Sequence, residues 1–243
     1  MLNLGASQTW NPGSEGSRPE GAPLSETLTA AHILSRVIPT PHHRPWRSRE
    51  EMKVLIAQKH AEIMEILGLD LSDDSLAETP QRVAKMYVDE IFGGLWEEEF
   101  PKITVVENRM SYDEMLVETG ITFNSTCEHH FLPILGRAHV AYVCKGKVLG
   151  LSKFNRVVEY FARRPQVQER ANVQIQEALV AILGTEDVAV VIDAVHTCVK
   201  TRGTGDHGTV TRTQKLGGIF RHDADRRREF LSMLPSPSAI AVG

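Results

Sequence analysis

Cysteine is scarce in this chain, with three in 243 residues. That is too few for the disulfide framework of a small secreted fold, and thiols placed among histidines act as metal ligands only where they stay reduced. The cytoplasm is therefore the expected location. Neither sign of charge dominates: 27 Lys and Arg face 31 Asp and Glu, a formal net charge of −4. A nucleic-acid-binding or membrane-surface protein would carry a strongly basic footprint, so neither class is expected. No apolar window is long enough to span a bilayer, and the N-terminus has no charged head followed by an apolar run. No internal repeat is visible. What is present, a 42% hydrophobic content, suffices for one large domain with an extension.

Two short runs organise the chain: Ser125-Thr126-Cys127-Glu128-His129-His130-Phe131 and Asp193-Ala194-Val195-His196-Thr197-Cys198-Val199-Lys200. A thiolate and an imidazole separated by two residues, as in Cys127 and His130, can both reach one tetrahedral Zn²⁺, and Cys198 completes a set of three. Three protein ligands and one position left for water is the catalytic pattern, whereas a fourth ligand such as Glu128 or Cys144 would mark a structural site. If the second run is a strand, its alternation puts His196 and Cys198 on one face. His129 and His196 are then spare imidazoles beside the metal, suited to proton transfer near neutral pH. Cys144 has no such company and reads as a buried or idle thiol. His42 and His43, in a Pro-bounded linker, read as solvated loop.

Taken in order, residues 1–23 are rich in Gly, Ser and Pro and are expected to be a disordered tail. Residues 24–95 read as an N-terminal helical region: a short helix within Leu24 to Val37, a helix opened by the capping box Ser48-Arg49-Glu50-Glu51 and running to about Gly68, and a third opened by Thr79-Pro80 and ending at Gly93-Gly94. Residues 96–243 read as the catalytic domain. Strands are expected at 103–106, 115–126, 134–143, 147–151 and 188–200, with 209–215 pairing onto the last. Ser152 is expected to cap a helix ending before Pro165, a second helix covers 168–183, and a charged helix covers 223–234. This order argues for α+β, an antiparallel sheet backed by a helical pair.

Basic residues gather near these runs. Lys153 and Arg156 fall in the opening turns of the helix at Ser152, where backbone amides attract anions, and Lys200 and Arg202 follow Cys198. With Arg82 they can form a phosphate-binding cluster, since guanidinium groups fork onto phosphate oxygens. Glu169, at the start of the second helix of the pair, has a carboxylate able to accept two N–H bonds from a purine-like edge.

Six stretches together resemble the GTP cyclohydrolase I family, particularly its bacterial members: Glu78-Thr79-Pro80-Gln81-Arg82-Val83-Ala84-Lys85-Met86-Tyr87, Ser125 to His130, Gly150-Leu151-Ser152-Lys153, Arg163-Arg164-Pro165-Gln166-Val167-Gln168-Glu169-Arg170, His196 to Gly203, and Leu216-Gly217-Gly218. The resemblance runs from about Glu51 to Leu234. It implies a tunnelling fold assembled into a toroidal homodecamer with active sites at subunit boundaries. It implies zinc on Cys127, His130 and Cys198, and proton transfer by His129, His196 and Ser152. The guanine edge would be held by Glu169 with Gln168 beside it, and the triphosphate by Ser152, Lys153, Arg156, Lys200, Arg202 and Arg82, some from a neighbouring subunit. The implied reaction is hydrolytic opening of the guanine ring of GTP with formate release, ribose rearrangement and closure to 7,8-dihydroneopterin triphosphate. His207, in the glycine-rich loop after Arg202, is given no role.

A rival of another class is a non-catalytic, zinc-stapled nucleotide-binding protein, which a fourth ligand at the metal would favour. A nucleobase deaminase would need a Cys-x-x-Cys pair that the chain lacks. A nitrile reductase on the same fold would need a nucleophilic cysteine and a nicotinamide, against the zinc triad.

Overall fold

The computed structural model describes residues 29–43 and 47–237; the expected tail 1–23 and the start of the helix expected from Leu24 lie outside them. In chain order the elements are α1 (Ala30–Leu34), α2 (Arg49–Ile66), α3 (Thr79–Lys85), β1 (Val105–Glu107), β2 (Met115–Cys127), β3 (Pro133–Val143), β4 (Lys147–Leu149), α4 (Leu151–Ala162), β5 (Pro165–Gln166), α5 (Gln168–Leu183), β6 (Val188–His196), α6 (Thr197–Lys200), β7 (Thr211–Leu216), α7 (Gly218–His222) and α8 (Ala224–Ser232).

The main sheet has the order β5-β2-β3-β6-β7, antiparallel throughout except for the two-residue parallel pairing of β5 with β2. β1 and β4 form a separate antiparallel ladder. The fold is the expected α+β arrangement, with α4 and α5 as the helical pair on one sheet face.

Alternation explains that packing. Along β2, Ile121, Phe123 and Ser125 are buried while Thr122 and Asn124 are exposed. Phe154, Val157, Val158 and Phe161 on α4, and Ala171, Ile175, Ala178, Leu179 and Ile182 on α5, close over the buried face. Each such large side chain contributes roughly 1.5–3 kcal/mol by leaving water. β6 is buried on both faces from Val188 to Val195, because Phe220 of α7 and Phe230 of α8 form a second core with Ala141, Ala189 and Val191. Ile33 of α1 is fully buried in the first core, tying the N-terminal helical region to the domain.

Several boundaries differ from expectation, beginning with the strands expected at 103–106 and 147–151, which run Val105–Glu107 and Lys147–Leu149. The segment read as one strand from 188 to 200 leaves the sheet at His196, and Thr197–Lys200 is a helical turn. Its neighbour explains this: β3 begins at Pro133 and Ile134 already pairs with His196, so no ladder remains for Cys198 to join. Ser152 is not a cap. α4 starts at Leu151 with Gly150 at the cap position and no side-chain cap bond. Glu78, not Thr79, precedes the first residue of α3, with Pro80 in the opening turn as expected. The expected long helix beyond α3 continues as a π-helical turn over Met86–Ile91, then two 3-10 turns at Gly93–Leu95 and Glu97–Glu99.

Candidate metal and active site

β2 ends at Cys127 in a tight turn. Phe131 N donates to the Cys127 carbonyl and Cys127 N donates to the Leu132 carbonyl, both at 2.8 Å. Closing that turn puts Phe131 in the left-handed region, φ 54°, a conformation that a bulky residue adopts only when its surroundings enforce it. The Phe131 ring is held edge-on against Tyr87 and Phe92, with centroids 6.1 and 5.4 Å away. The turn thereby presents His129 and His130 outward from a buried Cys127.

β6 ends alongside, and the α6 turn brings Cys198 to the same place. The thiol sulfurs of Cys127 and Cys198 and a ring nitrogen of His130 lie within 4.8 Å of one another. These are the three ligands expected, and among the described residues they form a group able to hold a metal ion. Burial, followed by the adjacent Cys127 thiol, pushes the Cys198 thiol up. Two crowded thiols resist ionising together, and a bound cation reverses that. Neither candidate fourth ligand joins them. The Glu128 carboxylate is engaged by Arg170, and Cys144 is buried in the main core, its backbone N donating to the Glu114 carbonyl.

The proton-transfer candidates flank this group. His129 Nδ1 lies 3.8 Å from Cys127 Sγ. His196 Nε2 lies 2.8 Å from Gln168 Oε1. Gln168 Nε2 donates to the carbonyls of Ile192 and Thr211, at 2.9 and 3.0 Å. Carbonyls only accept, so the amide is oriented with its oxygen toward the imidazole, which must carry its proton on Nε2 and keep Nδ1 free. Burial lowers the pKa of His196, with the Glu169 charge acting the other way. At neutral pH it is a neutral base with a fixed tautomer. Gln168, expected beside the substrate, faces inward and holds this imidazole.

The first turn of α5 is therefore a hub: Gln168 reaches His196, Glu169 is exposed, and Arg170 reaches Glu128 in the metal turn. Arg202 also belongs here, its Nη1 2.9 Å from His130 Nε2, with Lys200 on α6 just before it. His207 is exposed, as are His42 and His43.

Ser152, Lys153 and Arg156 are not brought together with the metal group. The Phe154 ring in the opening turns of α4 packs on Tyr142, ring centroids 5.7 Å apart, whereas Ser125 Oγ, two residues before Cys127, donates to the Ala162 carbonyl at the helix's far end. Ser152 and Arg156 lie ten and six residues before Ala162 on α4, about 15 and 9 Å of helix axis. Arg82 is exposed on α3 and paired with Glu78 at 2.9 Å. Sequence reasoning assigned nothing to Arg170 or to the Tyr87, Phe92 and Phe131 cluster. Arg170 lay inside a quoted motif, but no spacing rule links it to Glu128.

Comparison with known proteins completes the description. The family model described as GTP cyclohydrolase I matches residues 56–235. A protein of Erwinia tasmaniensis named GTP cyclohydrolase 1 is 54% identical over 214 residues, covering 86% of this chain and 97% of its own length. Proteins of the same name from an Enterobacter species and from Yersinia enterocolitica are 55% and 54% identical, each covering 86% of this chain and 96% of the relative.

Proposed function

Since this chain belongs to the GTP cyclohydrolase I family, a family of enzymes, we propose that it opens the guanine ring of GTP hydrolytically, releases formate, and after ribose rearrangement closes the product to 7,8-dihydroneopterin triphosphate. The observation that carries this reading is the Cys127, His130 and Cys198 triad with an imidazole of fixed tautomer, His196, at its side.

Zinc is the proposed metal. A tetrahedral zinc with bonds of about 2.0–2.3 Å needs ligand atoms roughly 3.3–3.8 Å apart, and a Cys₂His set confined within 4.8 Å fits once its atoms close by about 1–1.5 Å. When bound, zinc supplies a water acidified to a pKa of about 7. The remaining steps fall to the chain's own side chains. Glu169 accepts N–H bonds from the guanine edge and fixes the base. His196 takes a proton on Nδ1 and passes it to the ring nitrogen N7 as water adds at C8. His129 and Ser152 carry protons in the later steps, and Gln168 keeps His196 aimed. Lys200 and Arg202, with Ser152, Lys153, Arg156 and Arg82, hold the triphosphate.

Some of these contacts belong to a neighbouring copy. Ser152, Lys153 and Arg156 make no contact with the candidate ligands among the described residues, and they serve a substrate on another subunit's metal, in keeping with a toroidal homodecamer. Cytoplasmic residence fits the free thiols, and among the described residues no helix is long and apolar enough to cross a membrane. The experiment is GTP turnover by purified protein, followed by formate release and pterin fluorescence, with and without a zinc chelator. Chelator-sensitive product formation is expected. Its absence from folded, zinc-loaded protein would overturn the reading.

A further inference from the structure

The turn that carries two candidate metal ligands and the His129 imidazole is closed by its own backbone bonds and the packing of Phe131, and Glu128 ties it to α5. The Glu128 carboxylate meets Arg170 in a two-pronged pair: Nη1 to Oε2 at 2.6 Å and Nη2 to Oε1 at 3.3 Å. Both side chains are mostly buried, 17% and 27% exposed. The Arg170 hydrogen bonds hold the Glu128 carboxyl below its ordinary range. Glu128 N also donates to the Gln166 carbonyl at 3.1 Å, so main chain and side chain both tie the turn to the segment leading into α5.

Resting on the function proposed above, we propose that Arg170 and Glu128 are positioning residues: a strut that sets where the metal turn stands relative to Glu169, the carboxylate assigned to the guanine base. Glu169 and Arg170 are adjacent on a helix whose inner face is locked in the core, and they project about 100° apart. One residue faces outward to the base while the next fixes the distance and plane of the turn that holds the metal. A fork-shaped guanidinium bridging a carboxylate constrains both, which a lysine cannot do. Removing one partner of a mostly buried pair leaves the other charge unpaired and costs stability, whereas removing both together costs little, so the double variant separates positioning from stability. A displacement of about 1 Å between a bound substrate and its reacting group, by contrast, costs on the order of a hundredfold in rate.

The test compares Arg170→Met, Arg170→Lys, Glu128→Gln and the double variant Glu128→Gln with Arg170→Met, in the full-length assembled protein. Zinc affinity by chelator competition, kcat and KM for GTP, and Tm are measured for each. For Arg170→Met we expect zinc affinity or kcat to fall about tenfold to a hundredfold, the usual cost of losing a partner that orients a metal ligand, with little change in KM and with a loss of Tm from the unpaired carboxylate that the double variant restores. Arg170→Lys should fall between, and the double variant should be no worse than Arg170→Met. Wild-type zinc affinity and kcat in Arg170→Met would overturn the strut, and so would losses that follow Tm or multiply in the double variant. If the wild-type protein does not turn over GTP, the proposed function fails, and the zinc-affinity comparison still decides the strut.

Discussion

Gln168 Oε1 lies 2.8 Å from His196 Nε2, and because the same amide gives its protons to Ile192 and Thr211, the imidazole has one tautomer open to it. Gln168→Leu keeps the volume roughly constant and removes the acceptor. Zinc content should survive, while kcat falls about tenfold to a hundredfold, a share of what a positioned acid–base group supplies. Steady-state kinetics on metal-loaded protein decides this, and an unchanged kcat would mean that the orientation of His196 does not limit turnover. His196→Ala should lose more, with zinc again retained.

Metal loss should be equally specific. Cys198→Ser replaces a thiolate with a hydroxyl that ionises far less readily, so metal content and activity should vanish together. Metal analysis of the purified variant against wild type checks this. Full activity without bound metal would refute the ligand assignment.

Glu169 is exposed at the start of α5 and has no hydrogen-bond partner of its own among the described residues, which leaves both carboxylate oxygens for a ligand. Glu169→Gln should weaken GTP binding by about tenfold to a hundredfold, since a hydrogen bond to a charged group is worth about 1.5–3 kcal/mol. Zinc affinity should stay at the wild-type value. Equilibrium binding of GTP to the variant is the measurement, and undiminished affinity would remove Glu169 from base recognition.

A pH effect on stability should originate at His139 of β3, which faces the break in the β2 register between Glu118 and Ile121. His139 is fully buried, accepts from Gly120 N through Nδ1 at 3.2 Å, and has its pKa lowered by burial, with Asp193 opposing and Arg212 assisting. The unfolded chain takes up a proton at this histidine near pH 6.5, whereas the folded chain resists it until a lower pH. Stability from this group is therefore present above about pH 6.5 and is lost as pH falls toward the folded-state pKa. Urea unfolding at several pH values between about 5 and 7.5 should show a shallower pH slope for His139→Asn than for wild type. Identical slopes would place the dependence elsewhere.

Much of the fold was legible because its signals are local. The alternation in β2, the apolar stripe of α4 and the glycine stop of α5, Gly184 at φ 69°, each follow from a few neighbouring residues. The gathering of Cys127, His130 and Cys198 into one group able to hold a metal was legible from residue type and spacing, although one premise failed: Cys198 reaches the group from a helical turn, not from the strand face expected. Thr197, Cys198 and Val199 are good strand residues, and only the position of Pro133 on the neighbouring strand ends the ladder before them. What remained hidden depends on partners distant in sequence. Arg170 meets Glu128 across 42 positions and Gln168 meets His196 across 28, and neither side of either pair signals the other.

The first turn of α5 also bears on how this chain can vary. Three consecutive residues reach three separate destinations, two of them on other segments. Substitution here changes one connection at a time. Insertion or deletion of a single residue just before Gln168 would rotate the set by about 100° and shift it 1.5 Å along the axis, breaking every connection at once. Changes of length should therefore be excluded between Pro165 and Arg170, and tolerated in the exposed Gly203 to Gly208 loop, where no comparable set of contacts depends on the count.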